Sequence, residues 1–256
     1  MQNKPETRDD LKNMMKPLLR KAAKLILKPQ PVIPDGTELQ SHFGGQPYFE
    51  KGEQWPQTKN GNNLVFVFQV FNDGNAALPG NVKLIQFYYD FDTWKHSWST
   101  KDKGWLVKVY ETLNKENMTL IKKPDQYFHR WIKNPDEKEP WNWVRYCGIE
   151  YEQILSLPDW QWIWNVDENI AETLDKSGIE YEDIVEELTG YETEFFSQLG
   201  GYPQWIQSGI KKKNNFDFLF QLDSERDAGL MWSDCGMVYV FYNSKTKEVI
   251  FELECY

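Results

Sequence analysis

The stretch Ser197-Gln-Leu-Gly200-Gly201-Tyr-Pro203-Gln-Trp205 carries the main signal for the fold of this chain, because an earlier stretch matches it. The earlier stretch reads Ser41-His-Phe-Gly44-Gly45-Gln-Pro47-Tyr-Phe49. Each Gly-Gly-x-Pro segment precedes an aromatic strand that ends in glutamine and an apolar residue, and then a second aromatic strand. These strands are predicted over 64–70 and 84–90 in the first half and over 216–222 and 232–242 in the second. The repetition predicts two copies of one structural unit.

From this repetition we predict an α+β fold that is internally duplicated, with two packed, mainly antiparallel β-sheet units in one compact domain. An N-terminal helix and an acidic helical pair are expected on the outside. Residues 1–34 form the helix and a proline-rich connector, and residues 35–121 form the first repeat unit and its following strands. Residues 122–196 form an aromatic and acidic helical middle, and residues 197–256 form the second repeat unit.

These motifs also resemble those of the YwqG-like family of bacterial proteins. The resemblance rests on the two Gly-Gly-x-Pro segments and on Met231-Trp232-x-Asp234-x-Gly236. It covers residues 36–90 and 197–256 and does not extend to the middle of the chain. It implies an α+β cytoplasmic protein. Because the family has no settled biochemical activity, the resemblance adds a fold and little chemistry.

Acidic residues are concentrated in one part of the chain, which carries a formal net charge of −10. Between Val166 and Glu194 there are eleven acidic residues and one basic residue. A nucleic acid does not fit this surface, since its backbone requires a basic patch, whereas a basic protein fits. We expect the partner to contact the acidic residues of the predicted helical pair: Asp175, Glu180, Glu182, Asp183, Glu186 and Glu187.

Hydropathy and cysteine usage suggest a cytoplasmic protein. The mean hydropathy is −0.69, and no apolar run approaches the roughly 18 residues that a membrane helix requires. The cysteines Cys147, Cys235 and Cys255 are widely spaced and form no Cys-x-x-Cys motif. This usage argues for a reducing compartment and against a disulfide framework.

Hydrophobic periodicity predicts three helices. Apolar residues recur every three or four positions over 9–28, which predicts an amphipathic N-terminal helix. Residues 165–191 give two short helices. The motif Ser177-x-x-Glu180 is interpreted as a capping box that starts the second one, and Gly190 ends it.

The aromatic middle contains the alternating stretch Trp160-Gln-Trp-Ile-Trp164, which as a strand would place three indoles on one face. Such a face packs against a core or binds a ligand, and packing is the favoured interpretation. If the two repeat units meet at a cleft, the expected lining consists of aromatic and polar side chains from both units. The candidates are Gln69, Trp160, Trp162, Trp164, Trp205, Gln221, Trp232 and Asp234.

Catalytic motifs are hard to find in this sequence. The histidines His42, His96 and His129 match no zinc-ligand spacing, and no Gly-x-Ser-x-Gly motif is present. The carboxylates between Asp223 and Asp234 could bind a divalent cation, but their spacing fits no EF-hand loop. We therefore expect no catalytic residue, no metal and no cofactor.

Two function hypotheses follow from these patterns. The leading one is a non-enzymatic cytoplasmic protein-binding module, and its concrete form is an immunity-type protein that neutralises a basic toxin through the acidic surface. The alternative is a small-molecule or carbohydrate-binding enzyme with its site in the cleft between the two repeat units.

The paired glycines are expected to be structural. We predict that Gly44, Gly45 and Pro47, and likewise Gly200, Gly201 and Pro203, form loops whose backbone a β-carbon would obstruct. A left-handed glycine in either loop would make substitution by alanine cost about 1–2 kcal/mol.

Overall fold

The computed structural model of the protein describes residues 7–29, 39–91, 99–124, 144–191, 195–207, 209 and 215–256. Four α-helices lie within them: α1 (Arg8–Met15), α2 (Trp160–Val166), α3 (Glu168–Ser177) and α4 (Tyr181–Thr189). Two strands pair in a small separate sheet, β3 (Phe49–Glu50) with β7 (Met118–Thr119). None of the helices described is long and apolar enough to cross a membrane.

Ten strands form the main sheet, and every pairing between them is antiparallel. In chain order the first five are β1 (Arg20–Pro29), β2 (His42–Phe43), β4 (Val65–Phe71), β5 (Leu84–Tyr89) and β6 (Trp105–Tyr110). The others are β8 (Cys147–Ser156), β9 (Gln198–Gly200), β10 (Asp217–Leu222), β11 (Met237–Tyr242) and β12 (Val249–Glu254). The strand order is β12-β11-β10-β9-β1-β8-β2-β4-β5-β6, so β12 and β6 are the edge strands.

This topology contradicts the predicted fold class. A duplicated α+β fold with two packed β-sheet units is wrong, because the main strands form one continuous sheet. The long strands β1 and β8 pair over their full length in the middle of the sheet and join what were expected to be separate units. The repeated sequence pattern could not reveal this junction, since β1 and β8 lie outside the repeated segments.

The sheet curls strongly, because aromatic rings from strands far apart in the strand order contact one another. Phe68 on β4 meets Phe220 on β10 at 5.0 Å between ring centroids, and Phe87 on β5 meets Phe251 on β12 at 5.8 Å. Register shifts between Phe66 and Phe68, and between Phe218 and Phe220, allow the two strands to bend. The concave face thus encloses the largest apolar core of the protein.

The predicted helix over 9–28 is only partly correct. α1 ends at Met15, and residues Arg20–Pro29 form the central strand β1 instead. Pro17 explains the change, since a proline lacks the N–H that a helix interior needs. The apolar residues beyond it do not form a helical face, because Ala23 and Leu25 alternate into the sheet core.

The interpretation of 160–164 as a strand is also wrong, because these residues lie in helix α2. The Asp159 side chain caps this helix by accepting a hydrogen bond from the Trp162 N–H at 2.6 Å. In a helix the three indoles point in different directions. Trp162 is buried, Trp160 is half-buried and contacts the Tyr181 ring, and Trp164 is 41% exposed.

The two predicted short helices over 165–191 are confirmed as α3 and α4. Gly190 ends α4 in the left-handed conformation, as predicted. The predicted capping box is wrong, however. Ser177 is the last residue of α3, and Glu180 precedes α4 without a side-chain capping hydrogen bond.

Candidate functional site

The acidic surface of α3 and α4 is exposed because both helices bury only one side. Leu174 of α3 and Ile184 of α4 are almost fully buried in a core shared with Leu11 and Met15 of α1. The carboxylates occupy the positions between these apolar residues and therefore face outward. The local sequence thus fixes both the packing of the helices and the side on which the charge lies.

Helix α1 covers part of this charge. Arg8 forms salt bridges with Asp183 at 3.1 Å and with Glu187 at 2.7 Å, and Lys12 reaches Glu187 at 2.8 Å. The hydrogen bond from Lys12, aided by the charge of Arg8, lowers the pKa of Glu187 below its usual value. Two of the six predicted partner-binding carboxylates are therefore already paired within the chain.

The other four carboxylates remain open. Asp175, Glu180, Glu182 and Glu186 are exposed, and no basic residue in the described part of the chain forms a salt bridge with them. We refer to these four residues as the open acidic surface. Glu182 and Glu186 directly precede Asp183 and Glu187, whose salt bridges with Arg8 show that a guanidinium can dock against α4 from outside the helix.

Comparison with known proteins gives a family and no activity. A family model described as "Domain of unknown function (DUF1963)" matches residues 41–248. The chain belongs to this family. No curated protein matches the chain. The matched span of the DUF1963 chain includes α2, α3 and α4 but not α1, whose Arg8 and Lys12 pair with α4.

The predicted cleft residues of the DUF1963 chain do not form one cleft. Trp232 lies in the concave core against Phe87, Tyr89 and Phe91. Its indole N–H donates to the Asp223 carbonyl at 3.0 Å, so the ring is held as a core residue. Asp234 lies in an exposed turn after it and converges on no other candidate.

Trp162 and Trp205 do come together, in a separate aromatic cluster on the other face of the sheet. Their ring centroids are 5.4 Å apart, and Trp205 also packs on Tyr239 at 4.2 Å. A recess of 120 Å³ lies beside Trp162, between Gly201 and Phe241. This volume is well below the roughly 300 Å³ at which small-molecule pockets begin.

Gln69 and Gln221 have structural roles. Gln69 Oε1 accepts from the Tyr48 N–H at 2.9 Å, and its Nε2 donates to the Gln40 carbonyl at 2.9 Å. Gln221 Oε1 accepts from the Gln204 N–H at 2.9 Å, and its Nε2 donates to a backbone carbonyl at 2.9 Å. Each amide therefore bonds the backbone of a neighbouring loop, and the two side chains do not come together in a cleft.

Both Gly-Gly-x-Pro loops contain left-handed glycines, as predicted. The φ angles are +57° and +71° at Gly44 and Gly45, and +63° and +72° at Gly200 and Gly201. A β-carbon on Gly44 would come within 2.7 Å of the Arg145 carbonyl oxygen, so the loop also needs close backbone approach. Pro47 and Pro203, which follow these glycines, are buried.

Sequence reasoning named His42 and the carboxylates between Asp223 and Asp234, but it missed that His42 and Glu225 lie beside these loops. Ser197 Oγ donates to Glu225 Oε1 at 2.5 Å, and burial raises the pKa of Glu225 to about 7. His42 is buried, and burial lowers its pKa to about 4. The signal available was Ser-x-x-Gly-Gly, which begins both loops. Within the described residues, no group of three His, Cys, Asp or Glu side chains is arranged to hold a metal ion.

Proposed function

We propose that this DUF1963 chain is a non-enzymatic protein-binding module that recognises a basic partner protein through its open acidic surface. The observation that carries the proposal is that Asp175, Glu180, Glu182 and Glu186 are exposed without a basic partner in the described part of the chain. The negative electrostatic potential of these four carboxylates attracts a basic protein and accelerates its association.

The Arg8–Asp183 and Arg8–Glu187 salt bridges support this proposal by analogy within the molecule. They hold a guanidinium against α4 at 3.1 and 2.7 Å. A partner arginine would meet carboxylates of the same helix at Glu182 and Glu186, one position before each of the two that bind Arg8. Arginine suits this role because its planar guanidinium binds two carboxylate oxygens at once.

The concrete form of the proposal is an immunity-type protein that binds and neutralises a basic toxin. We place it in the cytoplasm, on the basis of its unpaired cysteines Cys147, Cys235 and Cys255. We further propose that the chain is similar to the YwqG-like proteins. This resemblance suggests no biochemical activity. The enzyme alternative gains no support from the candidate cleft residues, which lie in separate clusters.

The experiment compares the wild-type chain with a neutralised variant as bait for proteins from lysate at low and high salt. The neutralised variant carries D175N, E180Q, E182Q and E186Q. A charge-matched control changes four other exposed carboxylates: D73N, E116Q, E150Q and E248Q. We expect a basic protein to be retained at low salt by the wild type and the control, and to be lost at high salt or with the neutralised variant.

The captured protein is then purified and its association rate with each bait is measured. An association rate that is equal for the neutralised variant and the wild type contradicts the proposal. Recovery of no basic protein at either salt concentration contradicts it as well.

A further inference from the structure

The edge strands β6 and β12 of the curled sheet approach each other and leave a cavity of 420 Å³ between them. We call this region the seam. At one end, the Thr100 hydroxyl bonds β12, and the Trp105 ring stacks on Phe251 at 4.9 Å. At the other end, Lys247 forms a salt bridge with Glu111 at 2.5 Å. None of the eight predicted cleft residues lines this cavity.

The backbone of β6 directs hydrogen-bonding groups into the seam that have no partner among the residues the structure describes. The Asp90 N–H bonds the Gly104 carbonyl at 2.7 Å, and this bond determines which residues of β6 direct their backbone groups toward β5. Every second residue of β6 from that point turns its N–H and C=O toward β5, and the residues between turn theirs outward. Val107 and Val109 are such outward residues, and both line the cavity.

The same reasoning applies to β12. The Asn243 N–H bonds the Glu248 carbonyl at 2.9 Å, so the backbone groups of Val249 and Phe251 point away from β11 and into the seam. The contacts of Phe251 confirm that its backbone points away from β11. Its N–H donates to Thr100 Oγ1 at 2.9 Å, and its C=O accepts from the same hydroxyl at 3.0 Å. In the part of the chain that the structure describes, Val249 has no equivalent partner.

The side chains around the seam alternate between the two faces of the sheet. Val107, Val109 and Val249 point inward to the concave core. Lys108 points to the other face, where it forms a salt bridge with Glu53 at 2.6 Å. Glu50 lies at the rim on that face. Its Oε1 accepts two hydrogen bonds, and no described residue donates to its Oε2.

We propose that the seam binds an extended peptide segment of a partner protein, which adds as a strand between β6 and β12. Open edge strands offer the backbone hydrogen bonds that such strand addition uses. The inward side chains of the segment would extend the valine-lined core, and its outward side chains would lie near Glu50. The segment is therefore one in which apolar and polar residues alternate, with lysine or arginine on the polar face.

This binding site shares no residue with the open acidic surface and does not depend on the proposed function. The Thr100 hydroxyl already shows the bonding expected of the segment, since it donates to and accepts from one outward residue of β12. An added strand would accept hydrogen bonds from the backbone N–H groups of Val249 and Val109 and donate hydrogen bonds to their carbonyl oxygens.

The test selects peptides from a display library of random octapeptides on the full chain and measures the affinity of the enriched peptides. The key variant is V109P, which removes one outward N–H at a position where an edge strand tolerates proline. The matched control V109T keeps the backbone donor. We expect alternating, basic peptides that lose about tenfold in affinity with V109P and little with V109T, the effect of one lost hydrogen bond.

Enriched peptides that bind V109P and wild type equally would overturn the proposal, as would a selection that enriches no alternating sequence. If V109P fails to fold, backbone N-methylation of the peptide provides the same test on the wild-type chain, and undiminished binding overturns the proposal. If the wild-type chain is a dimer and V109P makes it monomeric, the strand that binds in the seam belongs to a second copy of this chain. That outcome overturns the proposal of a partner protein. The neutralised variant with D175N, E180Q, E182Q and E186Q should bind the selected peptides as the wild type does.

Discussion

Residues 41–71 and residues 197–223 hold the same polar atoms in the same arrangement, although they lie in different halves of the strand order. In both, a buried glutamine closes its loop with two backbone hydrogen bonds, and all four distances are 2.9 Å. In both, a serine hydroxyl accepts a backbone N–H at 2.9 Å just beyond the glutamine. The shared feature is thus a neutral set of groups that satisfies the backbone of a left-handed Gly-Gly loop.

The two regions differ in the ionisable group that each one adds. Ser41 accepts a hydrogen bond from the Tyr151 hydroxyl at 2.6 Å, whereas Ser197 donates to Glu225. His42 contacts the Gly44 carbonyl at 2.7 Å, whereas the second region has the neutral Gln198 at that strand position. Substitutions of matching residues in the two loops should therefore change the free energy of unfolding by similar amounts, whereas the two loops should respond differently to pH.

The largest effect is expected from adding a β-carbon to the loops. Gly200→Ala should destabilise by about 3 kcal/mol, because a left-handed alanine costs about 1–2 kcal/mol and overlap with the Ala77 carbonyl oxygen adds about 1–3 kcal/mol. Gly44→Ala should behave similarly. Gly178 is the control, since its φ is +72° and nothing lies within 4 Å of its added β-carbon. Denaturant unfolding that gives equal losses at Gly200 and Gly178 would show that close approach is not the reason for the glycine.

A smaller loss is expected from removing the buried amides. Gln69→Met and Gln221→Met keep the side-chain volume but leave a backbone N–H and a carbonyl without partners, at a cost of about 2–3 kcal/mol each. The two losses should agree within about 0.5 kcal/mol if the regions are equivalent. Gln161→Met is the control and should stay within about 0.5 kcal/mol of wild type, because Gln161 is exposed and its side-chain amide bonds no described residue. Unequal losses at Gln69 and Gln221 in urea titrations would break the equivalence.

The local features of these loops were predictable from the sequence, whereas the sheet was not. Gly-Gly before proline identified the left-handed backbone, and a glutamine within an apolar strand identified the buried amide. Both are short-range signals, in which a residue's own chemistry restricts its conformation. The joining of the strands through β1 and β8 depends on pairing between residues 20–29 and 147–156, which no local pattern encodes.

The candidate sites also differ in whether local sequence patterns predict them. Helices α3 and α4, and with them the open acidic surface, follow from a strong local period. The salt bridges of Arg8 with Asp183 and Glu187 connect residues far apart in sequence and were not foreseen. The seam was also missed, because it depends on which strands become edges and on the phase of their ladders.

The first pH-dependent difference should arise in the second region, at Glu225. Its pKa is about 7 in the folded chain and near 4.5 otherwise, so between pH 4.5 and 7 the folded state binds more protons than the unfolded state. Stability contributed by this group is therefore lost as the pH rises through that range, by up to about 1.4 kcal/mol per pH unit. Glu225→Gln should be more stable than wild type at pH 8 and similar at pH 5 in chemical denaturation. Identical pH profiles for the two proteins would show that Glu225 is solvated in solution.

The smallest effect is expected in the first region, at His42, and it has the opposite sign. Burial lowers the pKa of His42 to about 4 from 6.5, so below pH 6.5 the unfolded chain takes up a proton that the folded chain excludes. Stability is then lost as the pH falls from 6.5 toward 4, by about 1–2 kcal/mol at pH 5. His42→Gln should remove this loss and leave stability at pH 7 unchanged, because Gln198 already bonds the Gly200 carbonyl through its amide at 3.2 Å. The matched change Gln198→His should introduce the same acid sensitivity into the second region. If His42→Gln loses as much stability between pH 7 and pH 5 as the wild type, the histidine is not the group that distinguishes the two loops.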